Sequence, residues 1–306
     1  MTLKRSYSAG HFELQIDGHA TNAYLKSVEG GHVKATMVEE PVGPHNERVK
    51  HSTTVDIEPL SLDLGISSAD HIIKWIQASW RKKYNRRNGQ ITHADFDLYR
   101  TYEHGFSNAL ITEATFPALD GSAKDGTYLK VKIQPEDVST STPTGRSRIS
   151  GTMGMKQKMW TPSAFRFNID GIDEMRFVNK IESFTIKQGI KKHYAGQHRF
   201  AEIEPTKIEF PNLSGTIGFE HVGSLMKWHK DTVMGGQCES HHHKTGSIEY
   251  LSPDRKQTIF AINLFGVGLL NLAPMTATAN SDQIKRMKFD MFVHHMEIDG
   301  KGLGME

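Results

Sequence analysis

The chain has 306 residues, a length that fits about two domains. Hydrophobic residues make up 37% and aromatic residues 9%, enough for a packed core, which excludes a wholly disordered chain. The net charge of +2 excludes a broad attraction to nucleic acid or to membrane surfaces. The one cysteine, Cys238, excludes an internal disulfide framework and suits a reducing cytoplasm.

The N-terminal residues lack the apolar run of a signal peptide. No stretch of the chain approaches the ~18–20 consecutive apolar residues that a membrane-spanning helix needs. We therefore expect a soluble protein that has no membrane partner.

The first strands are predicted from alternating apolar and polar residues. Residues 12–18 alternate cleanly and end in an Asp-Gly turn. Residues 24–39 predict two short strands that are broken at Gly30-Gly31, and residues 55–65 predict another strand. Between them, residues 40–52 contain two prolines and a glycine without periodicity, which indicates a long loop.

A helix is predicted from Ser67 or Ser68 to about Lys83, because apolar residues recur there at helical spacing. Strands are then expected near 90–97, 100–106, 108–115 and 127–134. Residues 135–164 are rich in proline, serine, threonine and glycine, and we interpret them as an interdomain linker, part of which packs on the protein.

The second half of the chain repeats the first. Residues 12–18 read Phe-Glu-Leu-Gln-Ile-Asp-Gly, and residues 165–171 read Phe-Arg-Phe-Asn-Ile-Asp-Gly, 153 positions later. Lys-Trp pairs lie at the same offset, which then drifts to 157 and 158. A recurring offset indicates a tandem duplication. The residues expected to form the shared core of the repeat are Ile16, Gly18, Trp75, Ile169, Gly171 and Trp228.

The second copy repeats the order of elements. We expect strands at 165–170, 176–190, 206–219, 246–251, 257–265, 267–273 and 284–296, and a helix at about 220–233. The predicted organisation is a first β domain at 1–134, a linker at 135–164 and a second β domain at 165–306. One short helix cannot cover a sheet, so each sheet must close into a barrel or sandwich, or pair its edges with another chain.

One cluster of residues could hold a metal ion. Cys238, His241, His242 and His243 carry thiolate and imidazole groups, which are zinc ligands. Three consecutive histidines do not converge easily on one ion, and no second ligand pair supports them. The favoured interpretation is a solvated loop, with no metal and no cofactor. Because nucleotide-binding, nucleophile-elbow and zinc-hydrolase motifs are also missing from the sequence, we expect a protein that is not an enzyme.

The order of these elements resembles the tail-tube proteins of contractile phages and of phage-like contractile injection systems. The residues that carry the resemblance are Phe12 to Gly18, Leu64-Gly65, Trp75 and the strand Leu129-x-Val131-x-Ile133. In the second copy they are Phe165 to Gly171, Ile217-Gly218, Trp228 and Met287-x-Phe289-x-Met291.

The resemblance implies two tandem tube-type β-barrel or sandwich domains, each with one inserted helix. It also implies a structural protein that assembles into a ring or tube around a channel, in the cytoplasm and then in a phage tail or injection particle. The implied partners are further copies of the chain, other tube, hub or sheath proteins, and cargo in the channel, without sequence-specific binding of nucleic acid. The expected assembly contacts lie in residues 40–52 and 195–204, at Pro41, Gly43, Pro44, Arg48, Gly196, His198 and Arg199.

The duplication leaves the assembly open. Three chains could form a pseudo-six-fold ring, which suits an adaptor between a three-fold hub and a six-fold tube. Alternatively, six chains could each place one domain in the tube and the other outside it. Two further hypotheses are a ligand-binding β-barrel, which predicts a monomer that binds a small molecule, and a metal-dependent enzyme that uses Cys238 and His241 to His243.

Overall fold

The structure of the protein is a computed structural model. The structure describes residues 10–21, 23, 25–43, 45, 47–66, 69–149, 160–196, 198–237, 239–276 and 284–300. Of the residues discussed above, Ser67, Ser68, Pro44 and Cys238 lie outside the described residues.

The first copy contains eleven described strands and one helix. The strands are β1 (His11–Ile16), β2 (His19–Ala20), β3 (Leu25–Glu29), β4 (Val33–Val42), β5 (Glu47–Ile57), β6 (Leu60–Gly65), β7 (Arg87–Ala94), β8 (Arg100–Phe116), β9 (Leu119–Asp120), β10 (Tyr128–Gln134) and β11 (Asp137–Ser141). The helix α1 spans Asp70–Trp80.

The second copy contains eight described strands and the helix α2 (Gly223–His229), which continues into a π-helical turn at Lys230–Met234. The strands are β12 (Phe165–Ile169), β13 (Val178–Ile181), β14 (Phe184–His193), β15 (Glu202–Glu209), β16 (Leu213–Gly218), β17 (Lys244–Leu251), β18 (Thr258–Pro274) and β19 (Arg286–Asp299). The fold is therefore mainly β, as predicted.

Two antiparallel sheets form the body of the molecule. In the first, the strand order is β2-β1-β7-β8-β10-β6-β3, and β1 and β3 contact each other because the sheet curls. In the second, the order is β12-β17-β18-β19-β16-β13. The cores are apolar: Ile16, Trp75, Ile169 and Trp228 are all buried. Burial of this kind is the main favourable term in folding.

The two copies agree in strand register as well as in strand order. A β-bulge lies between Ala35 and Met37 in the β4–β5 pair, and an equivalent bulge lies between Gln188 and Ile190 in the β14–β15 pair, 153 positions later. The β10–β8 and β19–β18 pairs also share their register at an offset of 158. The repeat in the sequence is thus a repeat of the backbone, and equivalent residues can be compared one by one.

The glycines of the repeated Ile-Asp-Gly motif are not core residues, although they were grouped with the core. Gly18 and Gly171 are exposed in turns, where their φ angles are +81° and +77°. Backbone in this region favours glycine because other residues carry a Cβ atom. The repeat therefore retains these two glycines for their backbone conformation.

The prediction of a loop over residues 40–52 was wrong. Most of this segment belongs to the hairpin of β4 and β5, which has its turn near Gly43. The corresponding loop over 195–204 is also shorter than expected, because β15 begins at Glu202.

Two predicted strand breaks were wrong as well. Residues 100–106 and 108–115 form the single strand β8, and 257–265 and 267–273 form the single strand β18. Both strands contain one residue in the left-handed region, Asn108 with φ of 51° and Gly266 with φ of 65°. Such a residue shifts the alternation of faces, so the sequence pattern resembled a turn.

Both helices are shorter than predicted. The described helix α1 ends at Trp80, so Arg81 to Lys83 follow it, and α2 begins at Gly223 rather than near 220. Among the described residues, no helix has the length and apolar character that crossing a membrane requires.

The predicted linker carries secondary structure. Its strand β11 pairs with β8, Ile149 is buried, and Trp160 is buried against the ring of Tyr250. The segment therefore packs on both copies at its two described ends.

Candidate assembly interface

The two copies share a continuous sheet. Strand β14 of the second copy pairs with the end of β8 of the first copy, with Phe184 opposite Phe116 and Lys187 opposite Glu113. The hydroxyl oxygens of Thr115 and Thr185, which face each other in this pair, are 2.9 Å apart. Because β15 pairs with β14, the whole hairpin of the second copy extends the sheet of the first. We call this contact the internal junction.

A second strand pair supports the internal junction. The short strand β9 follows β8 and pairs with β13, so that Leu119 lies opposite Ile181 and Asp120 opposite Lys180. The first copy thus supplies the edge strand of the second sheet. Each sheet therefore contains a strand from the other copy: β14 in the first sheet and β9 in the second.

Aromatic side chains fill the space beneath the internal junction. The rings of Phe116 and Phe184 stack at 5.3 Å, and both residues are buried. Phe116 also contacts Tyr250 and Phe260 of the second copy. Stacked and tilted aromatic pairs contribute about 0.5–1.5 kcal/mol each beyond the area that they bury. The two cores therefore merge into one apolar cluster.

Charged side chains converge at the rim of the internal junction. Arg86 lies 3.4 Å from Glu136 and 3.1 Å from Glu204, and its guanidinium donates a hydrogen bond of 2.6 Å to the carbonyl of Ile203. The amide of Ile203 donates in turn to Glu136. We call Arg86, Glu136 and Glu204 the Arg86 triad. It holds β15 against the first copy by charge-assisted hydrogen bonds, which are stronger than neutral ones.

The equivalent hairpin of the first copy, β4–β5, has no such neighbour among the described residues. It forms a two-stranded sheet of its own, and every residue of β4 is exposed. Its base is held by the second copy, since Lys192 forms an ion pair with Asp56 and the side chains of Val55 and Ile57 are buried. The rest of the hairpin presents apolar side chains to solvent, including Val33 and Met37.

The residues predicted as assembly contacts lie at the tips of these two hairpins. Pro41, Gly43 and Arg48 are exposed at the end of β4–β5, where Arg48 pairs with Glu39. Gly196, His198 and Arg199 are exposed at the end of β14–β15. No partner chain is present, so their role in assembly stays a prediction.

The histidine run does not form a metal centre within the part of the chain that the structure describes. His241 and His242 lie in a short 3₁₀ turn, where His241 is exposed and contacts Glu239, and His242 is half-buried. His243 points elsewhere, against the rings of Phe292 and His294. No group of three or more metal-binding side chains was found among the described residues.

Sequence reasoning missed the internal junction. It placed assembly contacts at the hairpin tips, whereas the strand edges make the contact between copies. A signal was present in the differences between copies: buried Ile186 corresponds to exposed Val33, and Arg86 corresponds to His243. Equivalent positions that differ in polarity or size indicate different neighbours.

Comparison with known proteins bears on this geometry. The T4-like virus tail tube protein gp19 family matches residues 8–139. The matched segment spans the strands β1 to β10 and the helix α1 of the first copy. The second copy repeats the strand order and register of this segment. No curated protein matches the sequence of the chain.

Several solved structures are similar to part of this chain. A chain of the PVC sheath-tube complex, from an extracellular contractile injection system in its extended state, is 15% identical, and the match covers 46% of this chain and 95% of that one, with a TM-score of 0.41. A chain of the cap that terminates the tube of the anti-feeding prophage is 13% identical, and the match covers 47% of this chain and 95% of that one, with a TM-score of 0.39. Hcp1 from Flavobacterium johnsoniae is 12% identical, and the match covers 44% of this chain and 94% of that one, with a TM-score of 0.27.

Proposed function

We propose that the chain is a structural component of a contractile tail or injection apparatus, in which three chains close into a ring of six tube domains around a central channel. The observation that carries the proposal is the internal junction, where a hairpin of one copy extends the sheet of the other. This contact joins two domains edge to edge, as neighbours in a ring would be joined.

The two copies contact each other through different surfaces, and this supports a ring. The first copy contributes β8 and the second contributes β14, so the two copies use different surfaces. When two domains join through different surfaces, one surface of each kind stays free at the two ends of the pair. Repeating the same contact at these free surfaces generates a closed ring or an open filament. Two copies per chain then make three chains sufficient for the six positions that the resemblance to tube proteins implies.

A hexamer with one domain in the tube and one outside it is less well supported. That arrangement needs two copies that can occupy separate places. Here the sheets exchange edge strands and the aromatic side chains of both copies merge, so the copies are held side by side.

The proposed partners are further copies of this chain and other tube, hub or sheath proteins. The particle is a phage tail or an injection device, assembled in the cytoplasm, and cargo would pass through the channel. We infer no catalytic role, since the family is one of structural tube proteins.

The test is the solution mass of the purified protein over a range of concentrations, with negative-stain images of the same fractions. We expect the mass of three chains and rings with a central hole. Six chains with two domains at different radii would favour the hexamer. A monomer that persists at high concentration, without rings, would overturn the proposal and favour a ligand-binding barrel.

A further inference from the structure

We infer that the β4–β5 hairpin of one chain docks on the end of strand β18 of the next chain, in the register of the internal junction. This inference rests on the proposed function and names its contact surface. Among the described residues, the internal junction leaves two strand edges unpaired in each chain: the outer edge of β4, which we call the donor edge, and one edge of the end of β18, which we call the acceptor edge. The occupant of each is therefore a second copy of this chain.

The donor edge is defined by the repeat. Strand β4 is equivalent to β14, with the same partner register and the same bulge. Strand β14 is paired on both edges, whereas β4 is paired only with β5 among the described strands. An exposed strand edge is a template for pairing with another chain, which proteins otherwise protect with charges, prolines or bulges.

The acceptor edge follows from the same comparison. The end of β8, residues 113–116, is equivalent to residues 271–274 of β18. In β8 this segment has β10 on one side and β14 on the other, whereas in β18 it pairs with β19 alone among the described strands. Leu270 and Met275, on either side of the segment, are 44% and 46% exposed.

The register between chains can therefore be written down. Ile186 lies opposite Ala114 in the internal junction, which places Val33 opposite Leu272 in the next chain. Thr185 lies opposite Thr115, which places His32 opposite Ala273. Val33 is 46% exposed in the single chain, whereas its equivalent, Ile186, is 2% exposed. The exposed apolar side chain of Val33 thus meets the apolar part of the acceptor strand.

The charged contacts do not carry over unchanged. The positions of Arg86 and Glu136 are taken by His243 and His294, whose rings are 4.8 Å apart, and the position of Glu204 is taken by His51. None of these three positions carries an arginine or a glutamate. The chain-to-chain contact therefore lacks the ion pairs of the Arg86 triad.

The aromatic contact is also lost. Phe184 and Phe116 correspond to Gly31 and Pro274, which cannot form a stacked ring pair. Both changes make the contact between chains weaker than the internal junction, so rings should form in a concentration-dependent way while the internal junction stays closed.

The experiment is cross-linking by paired cysteines in a Cys238→Ser background. His32→Cys with Ala273→Cys tests the inferred register, because directly opposed residues of an antiparallel pair come close enough for a disulfide. Thr115→Cys with Thr185→Cys is the positive control and should form a disulfide within one chain. His32→Cys with Leu270→Cys is the off-register control.

We expect linked dimers and trimers on denaturing gels from the matched pair, and unlinked chains from the off-register pair. Mixing the two single variants, His32→Cys and Ala273→Cys, should give linked dimers only. Rings that form without linkage of the matched pair, or that link equally in the off-register pair, would overturn the register and leave the proposed ring intact. A monomer at every concentration would overturn both.

Discussion

The repeat provides a matched pair of substitutions that tests the internal junction. Ile186 and Val33 occupy equivalent positions, but Ile186 is 2% exposed beneath β8 and Val33 is 46% exposed. Truncating a buried isoleucine to alanine removes packed methyl groups and leaves a cavity, which costs about 2–5 kcal/mol. Truncating an exposed valine costs less than about 1 kcal/mol, mostly through lower strand propensity. We therefore expect Ile186→Ala to lower the free energy of unfolding at least twofold more than Val33→Ala.

The assay is urea unfolding followed by circular dichroism, at protein concentrations where the chain is monomeric. Equal losses for the two variants would refute the argument, because they would mean that the second hairpin is no better packed than the first. Above the concentration at which rings form, the order should change: Val33→Ala should weaken assembly several-fold, while Ile186→Ala should act mainly on the single chain. The wild-type protein in the same titration gives the reference for both measurements.

Four further predictions concern the single chain. Arg86→Met should cost about 1–2 kcal/mol in urea unfolding, since it removes the ion pairs and the charged hydrogen bond of the internal junction; an unchanged midpoint would contradict this. Tyr250→Phe should raise the melting temperature, because the buried hydroxyl has no hydrogen-bond partner among the described residues; a lower value would indicate a partner. Gly215→Ala should cost more than about 2 kcal/mol, since its Cβ would lie 2.4 Å from a neighbouring phenylalanine ring, and wild-type stability would refute the packing. Burial lowers the pKa of His104 below 6.5, so the folded chain binds fewer protons at this residue than the unfolded chain does. The free energy of unfolding should therefore decrease as the pH falls below about 6.5, and a chain that is more stable at pH 5.5 than at 7.5 would contradict this prediction.

Much of the fold could be predicted because the chain carries the same pattern twice. Strands with one buried face gave a clear alternation, as at residues 12–18 and 165–171. The recurring offset then located the equivalent elements, including the buried tryptophans of both helices. The internal repeat supplied a comparison that a single copy could not provide.

The outer part of the hairpin β4–β5, residues 40–52, could not be predicted in this way. Alternation reports a strand that has one face in a core, whereas β4 is exposed along its whole length. Residues 40–52 therefore show no apolar period, and their prolines suggested a loop. The prediction failed in the part of the hairpin that, among the described residues, pairs with no other strand of the chain.

The internal junction was hidden for a different reason. Pairing between β8 and β14 joins residues about 70 positions apart, as for Thr115 and Thr185, and no local pattern specifies such a contact. In the sequence, only the differences between equivalent residues of the two copies indicate this pairing. These differences can be interpreted once the alignment of the two copies is known.

The tandem arrangement has a consequence for how a ring would form. A contact between copies of one chain is intramolecular, so its effective concentration is fixed by the connecting segment, whereas a contact between chains depends on protein concentration. The internal junction combines a stacked aromatic pair with the Arg86 triad, and the inferred contact between chains has neither. In the proposed six-domain ring, the duplication would therefore place half of the junctions within single chains, and the concentration dependence of assembly would arise from the other half.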